Sequence, residues 1–276
     1  YSGNANLRPE ESDTKSFGLV FTPTFLKGFT TSVDYYDIFV DRIIGIIPQR
    51  IILQICAADP LDPVCTRIQR EPTTGILFGN AGFIESQNEN LGSTATTGID
   101  IETNYKFDLD EQSTVAFNLQ GTWIDTYEVE PLPGAAIYDC AGLFGTTCGT
   151  PIPDWRHKLR VTWGTAWDVD FSIAWRHVGS VSYDGNESDP SLTNGFFNAA
   201  DASIPAADYF DFAFDWSVTD NIKMTGGISN FLDRSPTVVD SNILGISSPP
   251  FGNANTFPVA YDSLGREVFI GMSTRF

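Results

Sequence analysis

The connections between segments constrain this chain most. From Phe17 onward the sequence resolves into runs of alternating apolar and polar residues, and the stretches joining them are short, long, short, long in turn. The turns TFLKG, DEQS, TAWD and TDN are brief, whereas the first long connection runs for about fifty residues to Leu91, far beyond ordinary loop length in a compact soluble domain. The others run from about Glu128 to Asp154, from about Ser182 to Ala207, and through a stretch holding Pro236, Pro249, Pro250 and Pro258. A Greek-key sandwich has little reason to sort its loops by length. A transmembrane barrel does so as a rule, with short periplasmic turns and long extracellular loops.

The strands have the matching period of two. The first, roughly Thr14 to Thr22, alternates Phe17, Leu19 and Phe21 with Ser16, Gly18 and Thr22, and its return begins near Phe29. In the cleanest pair, Ile99, Ile101, Tyr105, Phe107 and Leu109 oppose Asp100, Glu102, Asn104, Lys106 and Asp108, followed by Val115, Phe117, Leu119 and Trp123 against Thr114, Asn118, Gln120 and Thr122. Strand five turns Trp155, His157, Leu159, Val161 and Trp163 outward and Arg156, Lys158, Arg160 and Thr162 inward. Strand six sets Val169, Phe171, Ile173 and Trp175 against Asp170, Ser172, Ala174 and Arg176, and strand seven sets Phe210, Phe212, Phe214 and Trp216 against Asp211, Ala213 and Asp215. The last strand places Val268, Ile270, Met272, Thr274 and Phe276 on one face, with Phe269 as an exception on the polar side. Such segments suit the 9–11 tilted residues of a membrane strand. Trp155, Trp163, Trp175 and Trp216 share the lipid-facing phase, where interfacial aromatic girdles belong.

No run approaches the roughly 18 apolar residues of a membrane helix, since IIGIIPQRIILQI is broken by Pro48, Gln49 and Arg50. A formal charge of −19 argues against a nucleic-acid partner, whose phosphates need a basic footprint. The four cysteines form two close pairs, Cys56 with Cys65 and Cys140 with Cys148, read as disulfides closing long-side loops in an oxidising compartment. Zinc would want closer cysteine spacing or histidine partners, and His157 and His177 lie in predicted strands. The loop Asp184–Asp189 has oxygen ligands but not the spacing of an EF-hand, so it reads as solvated. Segment 76–86, ILFGNAGFIES, is expected to form a small hairpin.

About nine strands leave the two ends of the chain on opposite sides of a membrane, whereas bacterial single-chain barrels have even strand numbers and paired edges. The expectation is an all-β, transmembrane antiparallel β-barrel present only as a C-terminal portion over residues 1–276, with further strands preceding Tyr1.

NANLRPEESDTKSFGLVFTP followed by FTTSVDYYDIFVDRII resembles TonB-dependent outer-membrane receptors, as do TTGIDIETNYKF, NFLDRSP and YDSLGREVFIGMSTRF with its terminal phenylalanine. The resemblance implies a 22-stranded barrel plugged by an N-terminal domain absent from this chain. It also implies location in the outer membrane of a Gram-negative bacterium. Partners would be the missing strands and plug, the energising inner-membrane TonB protein, the barrel-assembly machinery and the lipid bilayer. The function implied is active uptake of a scarce small-molecule or oligosaccharide ligand, such as a ferric siderophore or cobalamin. An open porin-like barrel or a secreted all-β adhesin or lectin is the alternative.

No catalytic residues, cofactor or metal are assigned. Asp100, Glu102, Asp211 and Asp215 have acid/base chemistry, but polar positions facing a wet lumen account for them. Arg156, Lys158, Arg160 and Arg176 stand out in so acidic a chain and are expected to form a basic lumen patch docking acidic groups of a plug or anionic ligand. Phe276 is assigned as an assembly signal, a role implied by the resemblance.

Overall fold

The computed structural model describes residues 3–47, 49–77, 81–193, 195–244 and 248–275, so Phe276 lies outside the described residues. Its main element is a ten-stranded sheet. Nine strands follow one another in space in chain order: β1 (Glu11–Phe21), β2 (Phe29–Asp41), β3 (Ser93–Asp108), β4 (Thr114–Glu130), β5 (Trp155–Gly164), β6 (Val169–Val178), β7 (Ala207–Thr219), β8 (Ile222–Ser229) and β9 (Glu267–Thr274). The tenth, Tyr138–Asp139, folds back on β4. The first strand begins at Glu11 rather than near Thr14, because the polar run ESDTK extends the pairing without offering an apolar signal.

Register settles the faces. Leu159 lies opposite Leu119 and Trp175, Val161 opposite Phe117 and Ile173, and Trp163 opposite Val115 and Phe171, so apolar side chains form unbroken rows across β4, β5 and β6. The alternate rows carry Arg156 with Thr122 and Lys158 with Gln120 and Arg176. Among the described residues the apolar face is exposed: on β9, Val268 and Ile270 are each 75% exposed and Met272 is 69% exposed. Each such side chain would gain about 1.5–3 kcal/mol on leaving water, so a face of this kind needs lipid as its solvent. Phe269 is opposite Gly227, and its ring lies where that glycine has no Cβ. The missing side chain lets an aromatic stand on the polar face.

Aromatic residues mark both ends of the band. Trp155 and Trp175 lie near the long-loop end and Trp163 and Trp216 near the short-turn end. Eight residues of strand separate Trp155 from Trp163, about 26 Å before tilt, which matches the height of an apolar band with its girdles.

The chain forms two compact units. One comprises Tyr1–Asp13, Ile38–Ala95 and Val129–Ile137. Within it the sequence pattern gave no warning of helix α1 (Gln49–Ala58), where fully buried Ile52 anchors a run whose β-branched residues favour strands. Asp62 caps the following 3-10 turn by accepting from the Val64 N–H at 2.8 Å, with Pro63 in the first helical position. Cys56 of α1 is bonded to Cys65 of that turn. The NANLRPE segment is held by the Asn90 side chain, whose Oδ1 accepts from the Arg8 N–H and whose Nδ2 donates to the Arg8 carbonyl, both at 2.8 Å. Phe83–Ile84 pairs with Ile68–Gln69, and the middle of the hairpin expected within 76–86, residues 78–80, lies outside the described residues.

The second unit comprises Thr14–Asp37, Thr96–Glu128 and Tyr138–Phe276. Its buried core lies under the long loops. Phe144, Val181, Tyr183, Ile204, Tyr209, Val239, Ile243, Phe257 and Tyr261 pack together around a small sheet in which Leu143–Phe144 pairs with Val181–Tyr183 and that strand with Ser203–Ile204.

Candidate functional site

On the polar face, Arg156, Lys158 and Arg160 of β5 lie beside Arg176 of β6, and they do not form one uniform patch. Arg156, Lys158 and Arg176 reach a common cavity of about 470 Å³, with Asp34 and Asp100 on its other side. Arg160 is not among its lining residues. Its Nη1 donates to Ser172 Oγ at 2.8 Å, one strand away.

Arg176 is already engaged. Its Nε donates to Asp211 Oδ2 at 2.8 Å and its Nη2 to Asp211 Oδ1 at 3.0 Å, the bidentate geometry a guanidinium favours. The same Nη2 reaches Asp262 Oδ2 of the last long loop at 3.2 Å, and the guanidinium stands 5.1 Å from the Tyr209 ring centroid. Tyr209 Oη in turn accepts from the Asp262 N–H at 3.3 Å. Among the described residues, Arg156 and Lys158 have no hydrogen bond or ion pair from their side chains. The cavity is therefore two-sided, with unpaired cations on β5 facing the carboxylates of β2 and β3. Asp100 is held there by the Thr122 hydroxyl, which donates to its Oδ1 at 2.7 Å.

Asp262 escaped sequence reading because it sits in a Pro-rich connection, 86 residues from Arg176. The NFLDRSP stretch explains how that connection is placed. Asn230, fully buried, donates from Nδ2 to the Arg234 carbonyl and accepts the Arg234 N–H on Oδ1, both at 2.9 Å, while Asp233 Oδ1 accepts from the Arg266 N–H at 3.0 Å. The two ends of the last loop are thereby pinned together.

The first residue of the Asp184–Asp189 loop is not solvated as expected, although Ser188 is exposed and its neighbours are half-exposed. Asp184 is fully buried, and its Oδ2 accepts from the N–H groups of Thr147 and Cys148 at 2.7 and 2.8 Å. That fixes the loop closed by the Cys140–Cys148 disulfide. Burial pushes the Asp184 carboxyl above its ordinary value in spite of those amides. Among the described residues no group of three or more histidine, cysteine, aspartate or glutamate side chains is placed to hold a metal ion.

On the apolar face, Trp155 Nε1 donates to His157 Nδ1 at 2.8 Å, and Asp208 Oδ1 takes both the Trp175 Nε1–H and the His177 ring nitrogen at 2.7 Å. The polar atoms of the long-loop aromatic level are thus satisfied locally.

Comparisons with known proteins agree with this architecture. A family profile described as TonB dependent receptor-like, beta-barrel, matches residues 1–231. The fold is similar to that of the ferric enterobactin receptor PfeA of Pseudomonas aeruginosa, with a TM-score of 0.61 and 14% identity over 99% of this chain and 32% of that one. It is similar also to the iron transporter FrpB of Neisseria meningitidis, with a TM-score of 0.56 and 10% identity over 99% and 32%, and to the copper transporter OprC, with 0.53 and 14% over the same shares. At these identities the likeness concerns the fold. The chain spans about a third of the length of those receptors. No curated protein sequence matches it significantly.

Proposed function

Because this chain belongs to the TonB-dependent receptor β-barrel family, we propose that it is the C-terminal portion of an outer-membrane barrel that imports a scarce ligand into the periplasm with energy from TonB. The ligand class is a metal chelate of the siderophore type, cobalamin or an oligosaccharide. The observation that carries this reading is the two-faced sheet, apolar and uncovered on one side and charged on the other, with unpaired Arg156 and Lys158 aimed into a cavity on the charged side. A lumen wall of this kind keeps its cations hydrated until an anionic surface arrives. We assign that surface to the plug or to an acidic ligand.

The test is the double variant Arg156→Glu with Lys158→Glu in the intact receptor. Uptake or retention of the plug falls by about tenfold or more, on the scale of two lost charge-assisted contacts, while heat-modifiable migration of the barrel is unchanged. Unchanged uptake and unchanged plug retention would refute the docking role. Loss of heat-modifiability alone would assign the two residues to barrel assembly.

A further inference from the structure

At the short-turn end of the apolar face the sheet carries a cleft unrelated to the lumen. The turn between β3 and β4 and the turn between β5 and β6 lie side by side because β4 and β5 are paired there, with Thr114 opposite Gly164 and Val115 opposite Trp163. Between them is an open cavity of about 460 Å³, lined by Trp163, Trp167, Asp110, Glu111, Gln112 and Thr165 among others. Trp167 is 71% exposed and Trp163 42% exposed, the latter with one side of its ring toward Phe171 at 6.1 Å between centroids, so both indoles present surface to the cleft. No lysine, arginine or histidine is among its lining residues.

The carboxylate side is built rather than incidental. Asp110 Oδ1 accepts from the Gln112 N–H at 2.8 Å, and the Asp110 carboxyl is held below its ordinary range first by the Ser113 side chain and then by that amide. Thr165 Oγ1 donates to the Val169 carbonyl at 2.8 Å and accepts from the Trp167 N–H at 3.2 Å, fixing the second turn. Two indoles beside two carboxylates are the recognition set for an ammonium group, which is attracted by the ring quadrupoles and by the negative charge together. Depth selects the source. Trp163 ends the apolar row that runs up β5 through Val161 and Leu159, so the cleft opens where lipid chains give way to headgroups.

We propose that the cleft between Asp110–Ser113 and Thr165–Trp167 binds the protonated amine of a membrane-lipid headgroup, with Trp163 and Trp167 covering it and Asp110 and Glu111 neutralising it. The proposal rests on the membrane reading above but not on ligand uptake. It differs from simple interfacial anchoring, in which the indoles take any headgroup alike.

Native mass spectrometry of the intact receptor, delipidated and then offered phosphatidylethanolamine, phosphatidylglycerol or N-acetylated phosphatidylethanolamine, tests it. The wild type is expected to retain phosphatidylethanolamine about tenfold over either of the others, the scale of two partly desolvated cation–π contacts. Asp110→Asn with Glu111→Gln, which keep shape and turn bonding, bring that ratio to about one, as does Trp167→Ala, with heat-modifiable migration unchanged. Equal retention of the three lipids, or a preference that survives the two amide substitutions, would overturn the proposal. So would displacement of the lipid by millimolar free ethanolamine, which would mark a soluble amine as the ligand. The headgroup series on the wild type decides between these outcomes even if a variant fails to assemble. Ligand uptake measured on the same preparations separates failure of this site from failure of the transport reading.

Discussion

Asp262 of the last long loop shares the Arg176 guanidinium with Asp211 of β7, so one cation on the polar face of the sheet fastens a loop to the wall. Arg176→Lys keeps the charge but gives up the two-pronged geometry. With the Arg176 side chain 33% exposed and those of Asp211 and Asp262 22% and 15%, the loss is about 1–2 kcal/mol, read first in the loop. Limited proteolysis between 234 and 266 is expected to accelerate in Arg176→Lys and Asp262→Asn, and their effects in combination to be less than additive. Additive effects would show that the two residues do not form a latch.

Gly227 makes a separate prediction. A Cβ there would stand 2.5 Å from the Phe212 carbonyl oxygen and 2.7 Å from the Phe269 ring, and the first of these is backbone that cannot step aside. Gly227→Ala is expected to cost about 1–3 kcal/mol of overpacking and to lower the heat-modifiable fraction. Shrinking the ring as well, in Gly227→Ala with Phe269→Ala, recovers only the part due to the aromatic.

How far the sequence reached follows from these same residues. Strand faces were legible because the two-residue period is imposed by backbone geometry, and every predicted row of β4 to β6 appears in register. The set of cations on the polar rows, Arg156, Lys158, Arg160 and Arg176, was legible as strand positions. Its division was not, since Arg176 is engaged by Asp262, for which no period or spacing exists, while Arg156 and Lys158 keep their charge available. Helix α1 was hidden because its isoleucines read as strand, and Asp184 because a run of Asp, Gly, Asn and Ser looks alike whether solvated or buried.

Asp184 ties the loop core to pH. Its carboxyl is raised by burial, so the folded cap binds that proton more readily than the unfolded chain does. The contribution to stability is largest below the unfolded value of about 4, declines as pH climbs to the raised folded value, and is flat above it. Hydrogen exchange of the 140–148 loop, corrected for the intrinsic rate, is expected to slow on mild acidification in the wild type. Asp184→Asn should remove that pH dependence, and an unchanged slope in this variant would exclude Asp184 as its source.

The sheet ends at β1 and β9, whose residues are exposed throughout, and the two strands are not paired with each other. Strand edges cannot face hydrocarbon unpaired. Residues 1–276 expressed alone are therefore expected to give no heat-modifiable, protease-resistant monomer. A monomer with both properties would mean that the edges find each other.

The tight core of the second unit sits under its long loops, while the wall below turns an exposed apolar face outward. Two different solvents then govern one polypeptide. Exchanging the detergent or thinning the bilayer acts on the wall and leaves the loop globule nearly indifferent, whereas urea or a reductant at Cys140–Cys148 does the reverse. Calorimetry of the receptor is expected to resolve two heat-absorption peaks that respond to different additives. Molecules bound to the long loops or to the wall would then shift the lower-temperature or the higher-temperature peak according to which of the two they grip.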